Sequence, residues 1–518
     1  MWPLVKRLFG GTTRLTRSVL LLAGFFAVDK VVAFVRQVII ARQFGLLSEL
    51  DVFNVANNIP DMISALISGG AIAMALIPVL AEVRTRDGQA ASWNLFSRVA
   101  NLAFLVAAVV SLLAALLAGP LVRWELGVAP GFSAEQQQLV VELMRLDLIA
   151  TLIFALSGMA IAGLQANQHF LLPALAPILY NVGQIFGALI LAPMQGYQVG
   201  GVTLPALGLG VHGLVYGVLL GAGLHLGIQI PGLLRFGFRW TASLRPTPDF
   251  WRVLLLLLPR LISMGCVQLI FLVRDNLASR LDVGSVSALT YGWMIFQLPE
   301  TLIGTAVGVA ILPTLAEMFS QGQEQAFGDA VQRAVQVLLA LTLPVAAVFG
   351  LALRPLLVLA FRLDAAGADV LLWVSRMYLL GLAGQCLMEV ASRSFYARQW
   401  PWPAMAGALL NLALFSTAGV LLFRPLGASG IALADAIAYT VQAVVLLLIL
   451  GKRMGRTWQV SGALLRSLLA AFVGGAVVLL VAGLGKAAPL PAALVGMALG
   501  GGLALALVWK DFRLVWRM

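Results

Sequence analysis

The chain has 518 residues, of which 61% are hydrophobic and only 11% charged; a soluble domain carries about 25% charged residues. At a mean hydropathy of +0.97, that much apolar surface needs a bilayer as solvent, which excludes a soluble enzyme, a disordered chain and a fibrous protein. The net charge of +12 fits basic loops facing anionic lipid rather than a nucleic-acid partner. Cys266 and Cys386 sit in apolar runs, read as small core residues and exclude a disulfide scaffold. His169, His212 and His225 lack the spacing of a structural metal site.

In chain order, residues 1–17 carry Lys6, Arg7, Arg14 and Arg17 and read as a cytoplasmic N-terminal segment. No short apolar core with a small-residue cleavage site follows, which argues against a signal peptide. Fourteen apolar segments of spanning length come next, each needing about 20 residues. They are predicted roughly at 18–44, 51–83, 93–120, 139–163, 170–195, 207–234, 250–281, 288–318, 328–361, 368–392, 403–423, 428–451, 461–485 and 489–509. Period-two alternation, the mark of a membrane β-barrel, is missing. The predicted fold is therefore all-α, a polytopic bundle of about fourteen transmembrane helices. With the N-terminus inside, 21 of the 34 Lys and Arg residues fall on the cytoplasmic side, 8 outside and 5 within spans. The basic excess predicts both termini in the cytoplasm and an even number of spans.

The chain also repeats itself. Pro173-Ala174-Leu175-Ala176 through Asn181 matches Pro403-Ala404-Met405-Ala406 through Asn411, and Ile77-Pro78 through Glu82 matches Leu312-Pro313 through Glu317. Leu209-Gly210 through Gly213 matches Leu426-Gly427 through Gly430, and Val35-Arg36 with Arg42 matches Val273-Arg274 with Arg280. Four echoes in one order imply a duplicated six-span unit. An even span number gives both copies one orientation, which is the parallel-repeat transporter plan with a pseudo-twofold axis along the membrane normal. The predicted organisation is an N-lobe over 18–240, a C-lobe over 241–455, and two further helices with a short cytoplasmic C-terminus over 456–518.

No catalytic constellation stands out, so an enzyme is not expected. A P-loop is absent, which leaves a secondary transporter ahead of a channel or a passive scaffold. Charges inside spans cost roughly 2.5–3.5 kcal/mol each on insertion scales and need a reason. The first span holds Asp29, Lys30 and Arg36; Asp29 and Arg36, seven apart, share a helix face, either as a structural pair or as the lining of a hydrated cavity. The seventh holds Arg274 and Asp275. Cationic sites of this kind suit an anionic, phosphate-bearing substrate. Glu142 and Arg145 are expected to pair locally, as are Glu389 and Arg393. Arg260 is expected to snorkel. Asp61 and Glu300 follow Pro60 and Pro299 at equivalent places and mark hinges. Asp435 lies in the twelfth span without a local cation, so it is either protonated or holding one.

These residues resemble the MurJ/MviN lipid II flippase family of the multidrug/oligosaccharidyl-lipid/polysaccharide exporter superfamily. The stretches that carry the resemblance are Val35-Arg36 through Ala41-Arg42-Gln43-Phe44-Gly45, Asp51 through Pro60, Ile77-Pro78 through Glu82, and Ala129-Pro130-Gly131-Phe132. Pro173 through Asn181, Asp275 with Leu277-Ala278-Ser279, Gly284-Ser285-Val286-Ser287-Ala288-Leu289 and Phe395-Tyr396-Ala397-Arg398 complete them. The resemblance implies two six-span lobes, and two extra helices that form a groove for a polyprenyl tail. It also implies alternating access that carries undecaprenyl-pyrophosphate-linked peptidoglycan precursor outward, with a cationic cavity for the pyrophosphate. Lys30, Arg36 and Asp51 match family substrate positions, and Arg274 is added here as a further cation. The family's arginines in the second and eighth spans fall on Ser64 and Met294, and an acidic position on Gln297; a related polyprenyl-linked glycan or another amphipathic solute is the alternative substrate, and a non-transporting cell-wall scaffold the alternative role. Some members hold a sodium ion, for which Asp275, Asn411 and Asp435 are the matching oxygen donors; Asn411 also reads as helix–helix glue. No other cofactor is implied, and the chain is expected to act as a monomer.

Overall fold

The computed structural model describes residues 14–67, 70–167, 169–199 and 201–514. Most of the expected segment 1–17 and the basic Arg517 lie outside them, as does the side chain of Arg260. The described chain is helical apart from one antiparallel hairpin, β1 (Gln198–Val199) with β2 (Val202–Thr203). Nine of its helices are long and apolar enough to cross a membrane, so the protein is a multi-pass membrane protein. Helix is forced by the medium: in hydrocarbon every backbone N–H and C=O needs a partner within its own segment.

The helices α1 (Arg14–Phe44), α2 (Ser48–Ile67), α3 (Gly70–Leu116), α4 (Ala118–Arg123), α5 (Ala134–Ala166), α6 (Leu171–Phe186), α7 (Gly210–Gly227) and α8 (Ile230–Arg235) precede the long α9 (Pro248–Ala278). After it come α10 (Ser285–Glu300), α11 (Ala306–Ser320), α12 (Glu324–Phe361), α13 (Ala365–Leu380), α14 (Leu382–Ala397), α15 (Trp402–Arg453), α16 (Ser461–Leu484), α17 (Pro489–Leu507) and the short α18 (Trp509–Phe512). Two long helices contain a break at glycine. Gly427, at φ +60°, turns the chain inside α15, which thereby holds two predicted spans; Gly88, at φ +87°, does the same in α3. Only glycine adopts that backbone without a Cβ penalty. One π turn, Gly187–Leu191, ends α6, and another, Thr301–Thr305, joins α10 to α11.

The chain forms two compact units. The first contains the described residues up to Phe44 and Val52–Gln268; the second contains Gly45–Asp51 and the chain from Leu269 onward. In the first unit α5 packs on α3 and α6 on α7. The α6–α7 crossing is built from glycines: a Cβ on Gly187 would lie 2.7 Å from the Gly217 Cα. Small residues of this kind let helices associate where lipid removes the hydrophobic drive. Trp93, Phe96 and Phe238 interlock edge to face, each pair of centroids 5.3 Å apart, around a core that includes Leu80 and Leu164. In the second unit α12 packs on α16 and α17, and α14 on α15. Gly474 and Gly500 bring α16 and α17 together.

Candidate functional site: two charged centres and an apolar groove

The polar centre of the first unit is assembled by α1 and α6. Helical spacing puts Asp29 and Arg36 on one face of α1. Opposite them α6 presents Asn181, 4% exposed. Its Oδ1 accepts a hydrogen bond from Arg36 Nη1 at 2.9 Å, and its Nδ2 donates to Asp29 Oδ1 at 2.9 Å. The acid and the base are thus joined through an amide rather than directly. Asn181 Nδ2 also donates to the Pro177 carbonyl at 3.1 Å, which fixes its rotamer and so aims the Arg36 guanidinium. Arg36 Nη2 donates to Gln37 Oε1 at 3.5 Å, and Nε is buried without a partner. Asp61 and Tyr180 are within electrostatic reach of Arg36. Lys30, a residue further round the helix from Asp29, is exposed. An exposed ammonium and a half-buried guanidinium whose direction is set by a second helix are suited to a polyanion.

The second unit repeats the plan with different partners. Arg274 Nε donates to Asp275 Oδ1 at 2.8 Å, and the two side chains are only 11% and 2% exposed. The guanidinium lies 4.9 Å from the Phe271 ring centroid. Its charge also acts on Tyr378 and Asp435. Asp435 has no cation within its own span, as expected, and the charge that reaches it is that of Arg274 on α9. Asn411, the counterpart of Asn181, donates from Nδ2 to Gln442 Oε1 at 2.8 Å, which bridges the two halves of α15. Its Oδ1 is buried without a donor. Arg274 is bonded to one of the two carboxylates, and one amide oxygen is left uncommitted. Among the described residues there is no group of three or more His, Cys, Asp or Glu side chains able to hold a metal.

Asp51 is placed differently from its expected role. It is 2% exposed. Its Oδ2 accepts from the Gly284 N–H at 2.6 Å, and Oδ1 accepts from the Ser287 N–H at 2.8 Å and the Ser287 hydroxyl at 2.6 Å. The carboxylate caps α10, where a negative charge meets free N–H groups and the positive end of the helix dipole. Glu142 and Arg145 do not pair: Glu142 accepts from Gln138 Nε2 at 3.2 Å, and Arg145 Nε donates to the Ala115 carbonyl at 3.0 Å. Glu389 and Arg393 do pair, at 3.2 Å. Ser64 and Met294 are half-buried, and Gln297 is exposed. The reading of Asn181, like Asn411, as a helix–helix glue residue anticipates the bridge but not its partners Asp29 and Arg36. The Asp51 cap has no signal in the local sequence.

The second unit also holds an apolar cavity of about 400 Å³ formed by α10, α12 and α17. Pro299, Leu302, Pro344, Val348, Met497 and Gly501 are among its lining residues. The following helix, α18, is fastened to α16 by a two-pronged ion pair in which Arg466 Nε and Nη2 donate to Asp511 at 2.7 and 2.6 Å. Such bidentate geometry is the strong form of a carboxylate bond.

A helical membrane bundle with charged centres among its helices and an apolar groove along its last span has the build of a membrane transporter. The solved structures agree on the fold. One entitled "Lipid II flippase MurJ, inward closed conformation" superposes with a TM-score of 0.77 at 19% identity, covering 94% of this chain and 99% of its own. An inward-facing MATE family multidrug transporter of the MOP superfamily follows at a TM-score of 0.68 and 15% identity, covering 82% and 94%. The family model described as lipid II flippase MurJ matches residues 40–490, and the chain belongs to that family. Among relatives, the lipid II flippase MurJ of Burkholderia cenocepacia is 29% identical over 480 residues, 90% of this chain and 89% of the relative. A probable lipid II flippase MurJ of Rhizobium tropici is 30% identical over 460 residues, 87% and 84% respectively.

Proposed function

We propose that this protein is a lipid II flippase, moving an undecaprenyl-pyrophosphate-linked muropeptide from the inner to the outer leaflet of the bacterial cell membrane by alternating access. The observation that carries the reading is the family match over residues 40–490. The first-unit centre supports it chemically: Lys30 and Arg36 are the groups that would take the pyrophosphate, Lys30 as a mobile point charge and Arg36 as an aimed planar donor. Arg274, committed to Asp275, contributes its charge rather than a free donor face. Asp51 acts through the fold, by holding the start of α10. The groove of α10, α12 and α17 is the seat for part of the polyprenyl chain, since it is apolar and belongs to the unit that holds the last two spans.

Asp275, Asn411 and Asp435 are the residues that would hold a sodium ion, which would supply an ion gradient as driving force. Both termini lie in the cytoplasm on this reading, in line with the basic excess there. The protein acts as a monomer and makes or breaks no covalent bond. Other polyprenyl-linked glycans are the second reading, favoured by Ser64, Met294 and Gln297 standing where the family is charged. Purified protein in liposomes, tested with lipid II and with other polyprenyl-pyrophosphate glycans, decides between them. Preferential flipping of lipid II supports the first reading. Equal or better flipping of another glycan, with lipid II left in place, replaces it, and no flipping of any lipid supports a scaffold.

A further inference from the structure

One buried acid in the first unit has no role so far. Asp147, on α5, is 4% exposed, and its Oδ1 is buried with no hydrogen-bond partner. Among the described residues no basic side chain pairs with it. The same face of α5, one turn on, is tied to α2: Thr151 Oγ1 donates to the Pro60 carbonyl at 3.4 Å. That bond sets Asp147 beside the residue after Pro60, which is Asp61, and the two carboxylates repel each other electrostatically. Tyr180 of α6 feels both acids and Arg36. Arg36 acts on Asp61 but is already bonded to Asn181, which also holds Asp29. Asp29 and Asp61 thus share one guanidinium, which leaves Asp147 with only a like charge beside it, and two buried like charges stay ionised together only at a cost of several kcal/mol.

We propose that Asp147 and Asp61 form an exchangeable proton-binding site inside the first unit, with one proton shared between the two carboxylates. Asp61 is exposed on α2, so it is the member through which the proton enters. Asp147 is the sealed member. The proton adds to a carboxylate oxygen from a hydronium ion and leaves the same way, so no other reactant is needed. A hard divalent cation fits less well: it takes about six or more oxygen ligands, and the Thr151 hydroxyl is already bonded to the Pro60 carbonyl.

Other titratable groups on the helices packed against α5 do not change this assignment. On α7, His225 is held by Ser157 at 2.6 Å and Tyr216 is exposed, while His212 does not act on Asp147. Arg123 on α4 is exposed. On α3, Arg84 donates to the Ala166 carbonyl, which places Glu82, Arg84, Arg86, Asp87 and Arg98 toward the far end of α5, with Arg235 of α8. The site is independent of which lipid is carried.

Infrared difference spectroscopy of the full chain in nanodiscs, between about pH 5 and about pH 9, tests it without any transport assay. The expected result is a carboxylic C=O band that titrates in that window, shifts in D2O and disappears in Asp147→Asn. Asp147→Glu should restore a band at an altered frequency. Asp61→Asn should move the midpoint of the Asp147 band, whereas Glu142→Gln, which removes an exposed acid bonded to Gln138, should leave it in place. An unaltered titrating band in a folded Asp147→Asn protein overturns the proposal. So does an Asp147 band whose midpoint ignores Asp61→Asn. Flipping of lipid II can fail while the band obeys these rules, so the two readings are separable.

Discussion

The Asp51 carboxylate accepts both the N–H and the hydroxyl of Ser287, at 2.8 and 2.6 Å, across a separation of 236 residues. Gly284 completes the clamp at φ +89°, where an added Cβ would lie 2.6 Å from the Leu46 carbonyl. The linker between α1 and α2 is thereby part of the second unit. Asp51→Ala should lower stability by about 1.5–3 kcal/mol, the scale of losing a charged hydrogen-bond acceptor whose donors stay buried. Gly284→Ala should destabilise as well, through backbone strain and the Leu46 contact. Thermal unfolding in detergent measures both, and a midpoint equal to wild type for Asp51→Ala would mean that the clamp does not hold the fold.

Asn181 aims Arg36, so its loss should mimic the loss of Arg36 itself. Arg36→Ala should abolish complementation of a flippase-deficient strain at normal expression. Asn181→Leu, which leaves the guanidinium present but unaimed, should cut flipping about tenfold or more, as expected for about 1.4 kcal/mol of lost positioning. Asn181→Asp keeps an acceptor for Arg36 and should recover part of the rate. Normal growth of Arg36→Ala at wild-type protein level would assign the Asp29–Asn181–Arg36 chain to folding alone.

The groove gives a size-dependent prediction. Gly501 lines it with nothing within 4 Å of an added Cβ, so Gly501→Trp should fold and fill the space. Flipping of a long-chain polyprenyl substrate should fall severalfold, while a short-chain analogue with the same headgroup should keep most of its rate. Equal losses for both chain lengths would remove the tail from the groove.

Asp435 and Asn411 provide the test of ion coupling. With Arg274 balancing one of two acids, Asp435→Asn should cancel the remaining charge. Sodium-dependent stabilisation of the purified protein, read as a rise in Tm with salt against a potassium control, should be present in the wild type and lost in this variant. A concentration in excess of Kd by about a hundredfold is worth about 2.7 kcal/mol, which a melting curve resolves. An identical sodium response in both proteins would place the ion elsewhere.

Much of the fold was legible because its cause is local. A run of twenty apolar residues has one stable form in lipid, and α6, α7, α16 and α17 lie where such runs were read. The glycine turns at Gly88 and Gly427 also fall between predicted spans. Local spacing served the site less evenly. Glu389 and Arg393, four apart, do meet; Glu142 and Arg145, three apart, do not, because Gln138 and the Ala115 carbonyl offer each of them a better-placed partner.

Composition by itself settled the solvent, and the repeated motifs are what the sequence offers for one helical unit used twice, since both depend only on residue types and their order. The presence of Asp29, Lys30, Arg36 and Arg274 in apolar segments was likewise written in the sequence. Their partners were not. Arg36 takes its acceptor 145 positions away, Asp51 finds its donors in another helix, and Arg274 of α9 carries its charge to Asp435 of α15. Such choices are made when packed helices bring buried polar atoms together, because each of those atoms must find a donor or acceptor inside the protein once water is gone.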